Sequence, residues 1–189
     1  MSQDVLAALL DTKSAFFSPY SSFKLLRSKV IPQLIKHQAR NQTLHIVSAG
    51  CGAGQELFSL AILIDAALPE LDGWDIHYLG FDISQHQIER AMLGIYGQHE
   101  LKKDTPQKTL DKYFTQEGSV WKVIPYIQKQ VEFVQGNIST EPELIANADL
   151  LMCRGVLDQL TDIRREKSVA FIADNMKSHT IVMLGAQES

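Results

Sequence analysis

Ser48-Ala49-Gly50-Cys51-Gly52-Ala53-Gly54-Gln55-Glu56-Leu57-Phe58-Ser59 decides how this chain is read. The apolar run Leu44-His45-Ile46-Val47 precedes it, and a helical pattern at Leu57, Leu60, Ala61 and Ile64 follows. Strand, glycine-rich turn and helix form the layout of a nucleotide-type cofactor site. Glycines let a backbone turn sharply and approach a ligand with no Cβ in the way, and a helix start presents free N–H groups. The spacing then selects the ligand. Gly50, Gly52 and Gly54 stand as G-x-G-x-G, whereas a dinucleotide turn needs its third glycine one residue later. Glu56 adds an acid in the first helical turn. An acid there repels a pyrophosphate and can hold an ammonium group, so the turn suits S-adenosylmethionine.

Working outward, Asp75 to Asp82 reads as a second strand with a carboxylate at its C-terminal tip. In doubly wound sheets such an acid accepts hydrogen bonds from the ribose hydroxyls. Asp82 has an alternative role as an N-cap, but Ser84 fills it, which favours the ribose reading. Val131 to Ile138 is a third strand, ending in the Asn137 amide as a partner for the adenine edge. Asp149 to Gly155 and Thr180 to Gly185 are a fourth and a fifth.

These residues resemble the chemotaxis-receptor methyltransferase family, the S-adenosylmethionine-dependent protein-glutamate O-methyltransferases. The family pattern Ser-Ala-Gly-Cys-Ser-Thr-Gly-Glu-Glu-Pro-Tyr-Ser stands here as Ser48 to Ser59. Its Asp-Ile-Ser is Asp82-Ile83-Ser84, its Gly-Ile-Tyr is Gly94-Ile95-Tyr96, and its Tyr-Phe is Tyr113-Phe114. Its Asn-Ile is Asn137-Ile138, and its Cys-Arg-Asn-Val-Leu appears as Cys153-Arg154-Gly155-Val156-Leu157. Upstream, Ser14-Ala15-Phe16-Phe17 is similar to the family's Thr-x-Phe-Phe. The resemblance implies an α/β, class-I methyltransferase-like (Rossmann-like), mostly parallel sheet with helices on both faces and its C-terminal strands truncated. It implies S-adenosylmethionine as cofactor and S-adenosylhomocysteine as product. The cofactor residues it implies are Gly50, Gly52, Gly54, Glu56, Asp82, Ile83, Asn137 and Ile138.

Three departures bear on catalysis. The family places an arginine after Phe-Phe, facing the methyl group, and here Ser18 follows Phe17. The family's tyrosine five residues after the fourth-strand arginine is Gln159, and the asparagine beside that arginine is Gly155. Losing a cation that positions a carboxylate costs roughly 10²–10³-fold in rate by analogy with lost electrostatic donors. Ser18, followed by Pro19, reads instead as an N-cap with proline at the first helical position. Arg154 is the remaining catalytic candidate; its structural alternative is an ion pair with an acid such as Asp158. Two functions follow. One is an active protein-glutamate O-methyltransferase; the alternative is a weakened cofactor-binding or interaction domain in a signalling pathway.

Composition agrees with one globular domain: 189 residues, 45% hydrophobic and 21% charged. No apolar run reaches membrane-spanning length, and the start lacks the basic and apolar regions of a signal peptide, so a cytoplasmic location is expected. Cys51 and Cys153 read as reduced thiols lining the cofactor pocket rather than a redox pair. The six histidines show no metal spacing, so no metal is expected.

Charge is uneven. Between Asp11 and Glu56 there is no acid, while Lys13, Lys24, Arg27, Lys29, Lys36 and Arg40 contribute six positive charges to a chain of net −4. Phe23, Leu26, Val30 and Leu34 form a helical stripe in this stretch, interrupted by Pro32. Residues 1–43 therefore read as a basic helical leader, and 44–189 as the methyltransferase-like domain with a short hairpin near 118–134. The basic face reads as a solvated surface, or as an attractant for an acidic helical segment of a receptor or signalling protein. A pI near 5.8 without aromatic interleaving argues against nucleic acid. An apolar fifth strand at a sheet edge implies a homodimer through that edge, or cover by the helix near Ile163 to Lys177 and the leader.

Overall fold

The computed structural model describes residues 15–101, 105–157 and 160–184. The first fourteen residues of the leader, the Asp158-Gln159 pair and the close of the fifth strand at Gly185 lie outside them.

In chain order the elements are α1 (Tyr20–Leu25), a π-helical stretch (Leu26–Val30), α2 (Ile31–Gln38), β1 (Thr43–Ala49), α3 (Gln55–Ala67), β2 (Asp75–Asp82) and α4 (Gln85–Leu93). Then come β3 (Ile95–Gly97), α5 (Gln107–Tyr113), β4 (Phe114–Glu117), β5 (Val120–Val123), α6 (Pro125–Gln128), β6 (Val131–Gln135), β7 (Leu150–Cys153), α7 (Asp162–Asn175) and β8 (Ile181–Leu184). Five strands form a parallel sheet in the order β6-β2-β1-β7-β8. Chain order reverses direction between β1 and β7, which is the switch point where doubly wound sheets open a ligand crevice. The α/β, Rossmann-like fold is thus present.

Burial explains the arrangement. Leu44, Ile46, Leu150 and Leu151 on the central strands are fully buried, as expected where helices cover both faces of a parallel sheet. Helix α3 is apolar nearly all round: Leu57, Phe58, Leu60, Ala61 and Ile62 are at most 1% exposed. Such a helix must be covered on every side. Phe23, Leu26, Val30, Ile31 and Leu34 of the leader join it in one core with Leu44 and Ile46. Each such side chain contributes about 1.5–3 kcal/mol when fully buried. The stripe turns inward, and Lys24, Arg27, Lys29, Lys36 and Arg40 face solvent.

Three local readings differ from expectation. The leader helix passes Pro32 without stopping, because the π-helical stretch at Leu26–Val30 precedes it and Pro32 sits in the first turn of α2. Pro32 brings no N–H, and it falls where the backbone bonding passes from the π-helical to the α-helical pattern. Ser18 does not cap α1: Pro19 holds the cap position, and no side chain bonds to the helix start. The strand over Trp121 pairs backward with Phe114–Glu117 and with Ile95–Gly97, making a separate antiparallel sheet, β3-β5-β4. Pro125–Gln128 is a helical turn that separates β5 from β6. Gly118, with φ +62, supplies the tight turn that makes the backward pairing reachable.

Candidate functional site

Register brings the expected residues to one edge. Ala49 stands opposite Phe81 on one side and Cys153 on the other. The next residue of each strand, Gly50, Asp82 and Arg154, therefore stands at the same level. Asp82 is opposite Gln135, so Gly136, Asn137 and Ile138 follow beside it.

The turn after β1 holds three left-handed glycines, with φ +65 at Gly50, +54 at Gly52 and +85 at Gly54. Packing enforces two of them as well. A Cβ on Gly50 would lie 2.3 Å from Val156 Cγ2, and one on Gly54 would lie 2.7 Å from Phe133 Cζ. The loop is pinned by Cys51 N–H to the Phe81 carbonyl at 3.0 Å and by Gly54 N–H to the Cys51 carbonyl at 3.0 Å. Cys51 itself is buried, and burial, followed by the nearby Asp82 charge, pushes its thiol well above its ordinary pKa. It is a protonated thiol, not a nucleophile.

Asp82 is half-buried and acts as a bridge. Its Oδ2 accepts from Gly52 N–H at 2.9 Å and its Oδ1 from Ser84 N–H at 2.9 Å. Ser84 caps α4 through its Oγ, accepting from Gln87 N–H at 3.4 Å. Ile83 presents its carbonyl to Gln135 Nε2 at 3.0 Å. The Asn137 Oδ1 accepts from Ser139 N–H at 2.9 Å, closing a turn, and Ile138 is buried beside Phe81.

On the opposite flank, Arg154 donates from Nη1 to the Ser18 carbonyl at 3.3 Å and to Glu56 Oε1. Among the described residues the acid paired with Arg154 is Glu56 of α3, and Asp158 lies outside them. Ser18 is held there by its neighbours: Phe17 N–H donates to Ser59 Oγ at 2.9 Å, and Phe16 packs edge-on against Tyr96 and Phe114. The structure therefore gathers Gly50, Gly52, Gly54, Glu56, Asp82, Ile83, Asn137, Ile138, Arg154 and Ser18 around one strand-tip edge. Gln159 lies outside the described residues.

A buried polar group beneath the loop was not anticipated. Glu100 accepts at Oε1 from Gln55 Nε2 at 2.7 Å and from Arg90 Nη2 at 3.1 Å, and at Oε2 from Gly97 N–H at 2.9 Å. The Tyr96 hydroxyl donates to the Ala53 carbonyl at 2.6 Å, and the Glu100 carbonyl accepts from Phe16 N–H at 3.0 Å. The available signal was Gly94-Ile95-Tyr96, whose tyrosine serves the loop from behind. Among the described residues no group of three His, Cys, Asp or Glu side chains can hold a metal, and no helix is long and apolar enough to cross a membrane.

The chain is similar to several known proteins. The chain is 27% identical to Chemotaxis protein methyltransferase 2 of Vibrio cholerae, over 99% of this chain and 65% of that protein. It is 28% identical to Chemotaxis protein methyltransferase 1 of Pseudomonas aeruginosa, over 98% of this chain and 69% of that one. It thus spans about two thirds of the length of these relatives. Among solved structures, magnesium protoporphyrin IX methyltransferase from Synechocystis aligns with a TM-score of 0.43 at 18% identity, covering 78% of this chain and 51% of that one. Residues 12–189 match the family described as "CheR methyltransferase, SAM binding domain". With that match over most of its length, the chain belongs to the CheR methyltransferase SAM-binding domain family.

Proposed function

We propose that the protein is an S-adenosylmethionine-dependent methyltransferase that esterifies glutamate side chains of a chemotaxis-type receptor. The observation that carries this reading is the meeting of the glycine turn, the Asp82 carboxylate and the Arg154–Glu56 pair at one sheet edge. The residues present fit the cofactor. Each Asp82 oxygen spends one lone pair on a backbone N–H and keeps another for a ribose hydroxyl. The Asn137 side-chain NH₂ remains the donor of an amide whose oxygen is already engaged. Glu56 offers the only charge in the first turn of α3, and it suits an ammonium.

The bound cofactor supplies an electrophilic methyl: an O–C bond forms as the S–C bond breaks, the carboxylate loses its charge and a neutral thioether departs. A glutamate is already ionised at neutral pH, its unperturbed pKa being about 4.3, so no general base is required. The protein's own task is to align the acceptor and to stabilise a carboxylate stripped of water. Arg154 donates to the Ser18 carbonyl and so stands beside the position where the family resemblance implies an arginine, and it takes that role.

A second reading, a weakened cofactor-binding domain, is favoured by one observation: the Arg154 guanidinium is engaged by Glu56 and the Ser18 carbonyl. For a partner, the exposed Lys24, Arg27, Lys29, Lys36 and Arg40 favour an acidic receptor helix. The half-buried Ile181, Val182 and Met183 of β8, which pairs with β7, favour a homodimer along that strand. A cytoplasmic location fits such a partner. The deciding experiment is to titrate S-adenosylhomocysteine and then follow labelled methyl transfer to receptor fragments. Binding with transfer supports the enzyme, binding without transfer supports the second reading, and no binding removes both.

A further inference from the structure

Arg154 reaches two groups at once, the Ser18 carbonyl and the Glu56 carboxylate. Its side chain is 22% exposed and that of Glu56 is 20% exposed. A pair this far out of water is held more firmly than a surface pair and is costly to separate without a replacement charge. Yet Glu56 is also the acid that the reading above assigns to the cofactor's ammonium. It sits on the first turn of α3, immediately after the glycine turn, whereas Arg154 arrives from the tip of β7. Two cations approaching one small carboxylate from opposite flanks repel each other. A guanidinium bound to Glu56 therefore opposes entry of any ligand that brings an ammonium.

We infer that Arg154 is a placeholder cation: an ammonium-bearing ligand displaces its guanidinium from Glu56, so that cofactor entry and release of Arg154 are one event. The inference rests on assignment of this edge to S-adenosylmethionine. Before the exchange, Glu56 is neutralised and the guanidinium is occupied. After it, Glu56 is neutralised by the ligand and the guanidinium, still beside the Ser18 carbonyl, is available to an acceptor carboxylate. The exchange makes the site order its ligands, cofactor before carboxylate, and gives positive coupling between them. It also reconciles the missing charge at Ser18 with an active site, because the needed cation is present but held until the cofactor arrives.

The test compares two ligands that differ in the amino-acid group, which brings an ammonium for Glu56 together with a carboxylate. S-adenosylhomocysteine carries the amino-acid group, and methylthioadenosine shares the nucleoside and thioether but lacks it. Both are titrated by calorimetry into the full chain and into Arg154→Gln and Arg154→Met. Removing the competing cation should tighten S-adenosylhomocysteine binding about tenfold and leave methylthioadenosine binding unchanged. Methylthioadenosine affinity also reports that each variant has folded, and either variant that retains it is sufficient. Unchanged or weaker S-adenosylhomocysteine binding in such a variant overturns the inference, since it would make Arg154 an ordinary ligand contact or a bystander. A wild-type protein that binds neither compound overturns the cofactor assignment itself.

Discussion

Gln55 and Glu100 are joined inside the protein, the Gln55 Nε2 donating to Glu100 Oε1 at 2.7 Å. Gln55 is 2% exposed and opens α3; Glu100 is 9% exposed and lies beyond β3. The contact ties the end of the glycine turn to the segment that anchors Phe16. Among the described residues the Gln55 Oε1 has no hydrogen-bond partner, so the bonding of that side chain rests on Glu100.

Glu100→Ala should therefore be costly. It strands the Gln55 amide, the Gly97 N–H and the Arg90 guanidinium together, and a loss of about 2–4 kcal/mol is expected. Glu100→Gln keeps acceptor oxygen for part of the group and should lose markedly less. Urea unfolding of the two variants checks the order; equal stabilities would show the cluster to be incidental.

Asp82→Ala removes the acceptor of Gly52 N–H and Ser84 N–H as well as the proposed ribose contact. S-adenosylhomocysteine binding should weaken by about 1–3 kcal/mol. Calorimetry on wild type and variant measures it, and identical affinities would remove Asp82 from the site.

Ser18→Arg combined with Gln159→Tyr restores the charge and hydroxyl that the family resemblance implies. If the wild type transfers methyl groups slowly, the double variant should be faster, by roughly 10²-fold for one regained electrostatic contact. Labelled transfer to receptor fragments reads this directly. Brisk turnover by the unmodified chain would instead indicate that Arg154 suffices.

Gly54→Ala and Gly118→Ala form a matched pair. Both glycines have positive φ, +85 and +62, but a Cβ at Gly54 meets Phe133 and Ala91 while one at Gly118 meets nothing within 4 Å. Gly118→Ala should cost about 1 kcal/mol of strain. Gly54→Ala adds a clash between packed elements and should cost about 2–4 kcal/mol. Denaturation midpoints distinguish them.

His45 predicts a pH response. Burial, then the stacked His77 ring 4.6 Å away and Lys177, hold its pKa below the ordinary 6.5, against the opposing pull of Asp149 and Asp75. The unfolded chain consequently takes up its proton first. The contribution is complete above about 6.5 and declines as pH falls toward the folded value. Asp149 acts lower: burial raises its carboxyl, but the His45 backbone N–H, Lys177 and Gln38 outweigh it and bring it below 3.8, so its contribution is lost as pH drops through that folded value. Urea midpoints should fall from pH 7.5 to 5.5, and His45→Val should flatten that slope. A variant with the wild-type slope would place the sensitivity elsewhere.

The sheet was legible because its strands carry their own signals. Leu44 to Val47 is apolar but for His45 and Leu150 to Cys153 is wholly apolar, while Gly50 follows β1 and Asp82 closes β2. Those positions share one strand-tip edge because parallel strands in register end at the same level. The β3-β5-β4 sheet was not legible in the same way, because a short strand over Trp121 has suitable partners on either side and Ile95–Gly97 is three residues long. Side-chain pairings were hidden for a related reason. Arg154 pairs with Glu56, an acid 98 residues away in sequence that no local pattern connects to it, and the parallel pairing of β1 with β7 brings the two strand tips side by side. Glu100 has no periodicity to betray it.

The position of β1 between β2 and β7 has a consequence for synthesis. β2 emerges soon after β1, but the other neighbour, Leu150–Cys153, begins only about a hundred residues after β1 ends. At roughly 5–20 residues per second, one edge of the innermost strand waits about 5–20 s on the ribosome without its partner. Ile46, Val47, Ser48 and Ala49 form that waiting edge, and long-range parallel pairing is slow in any case. The strand that holds the cofactor turn is also the one most exposed to wrong partners before the chain is finished, which makes nascent-chain protection a requirement of this topology.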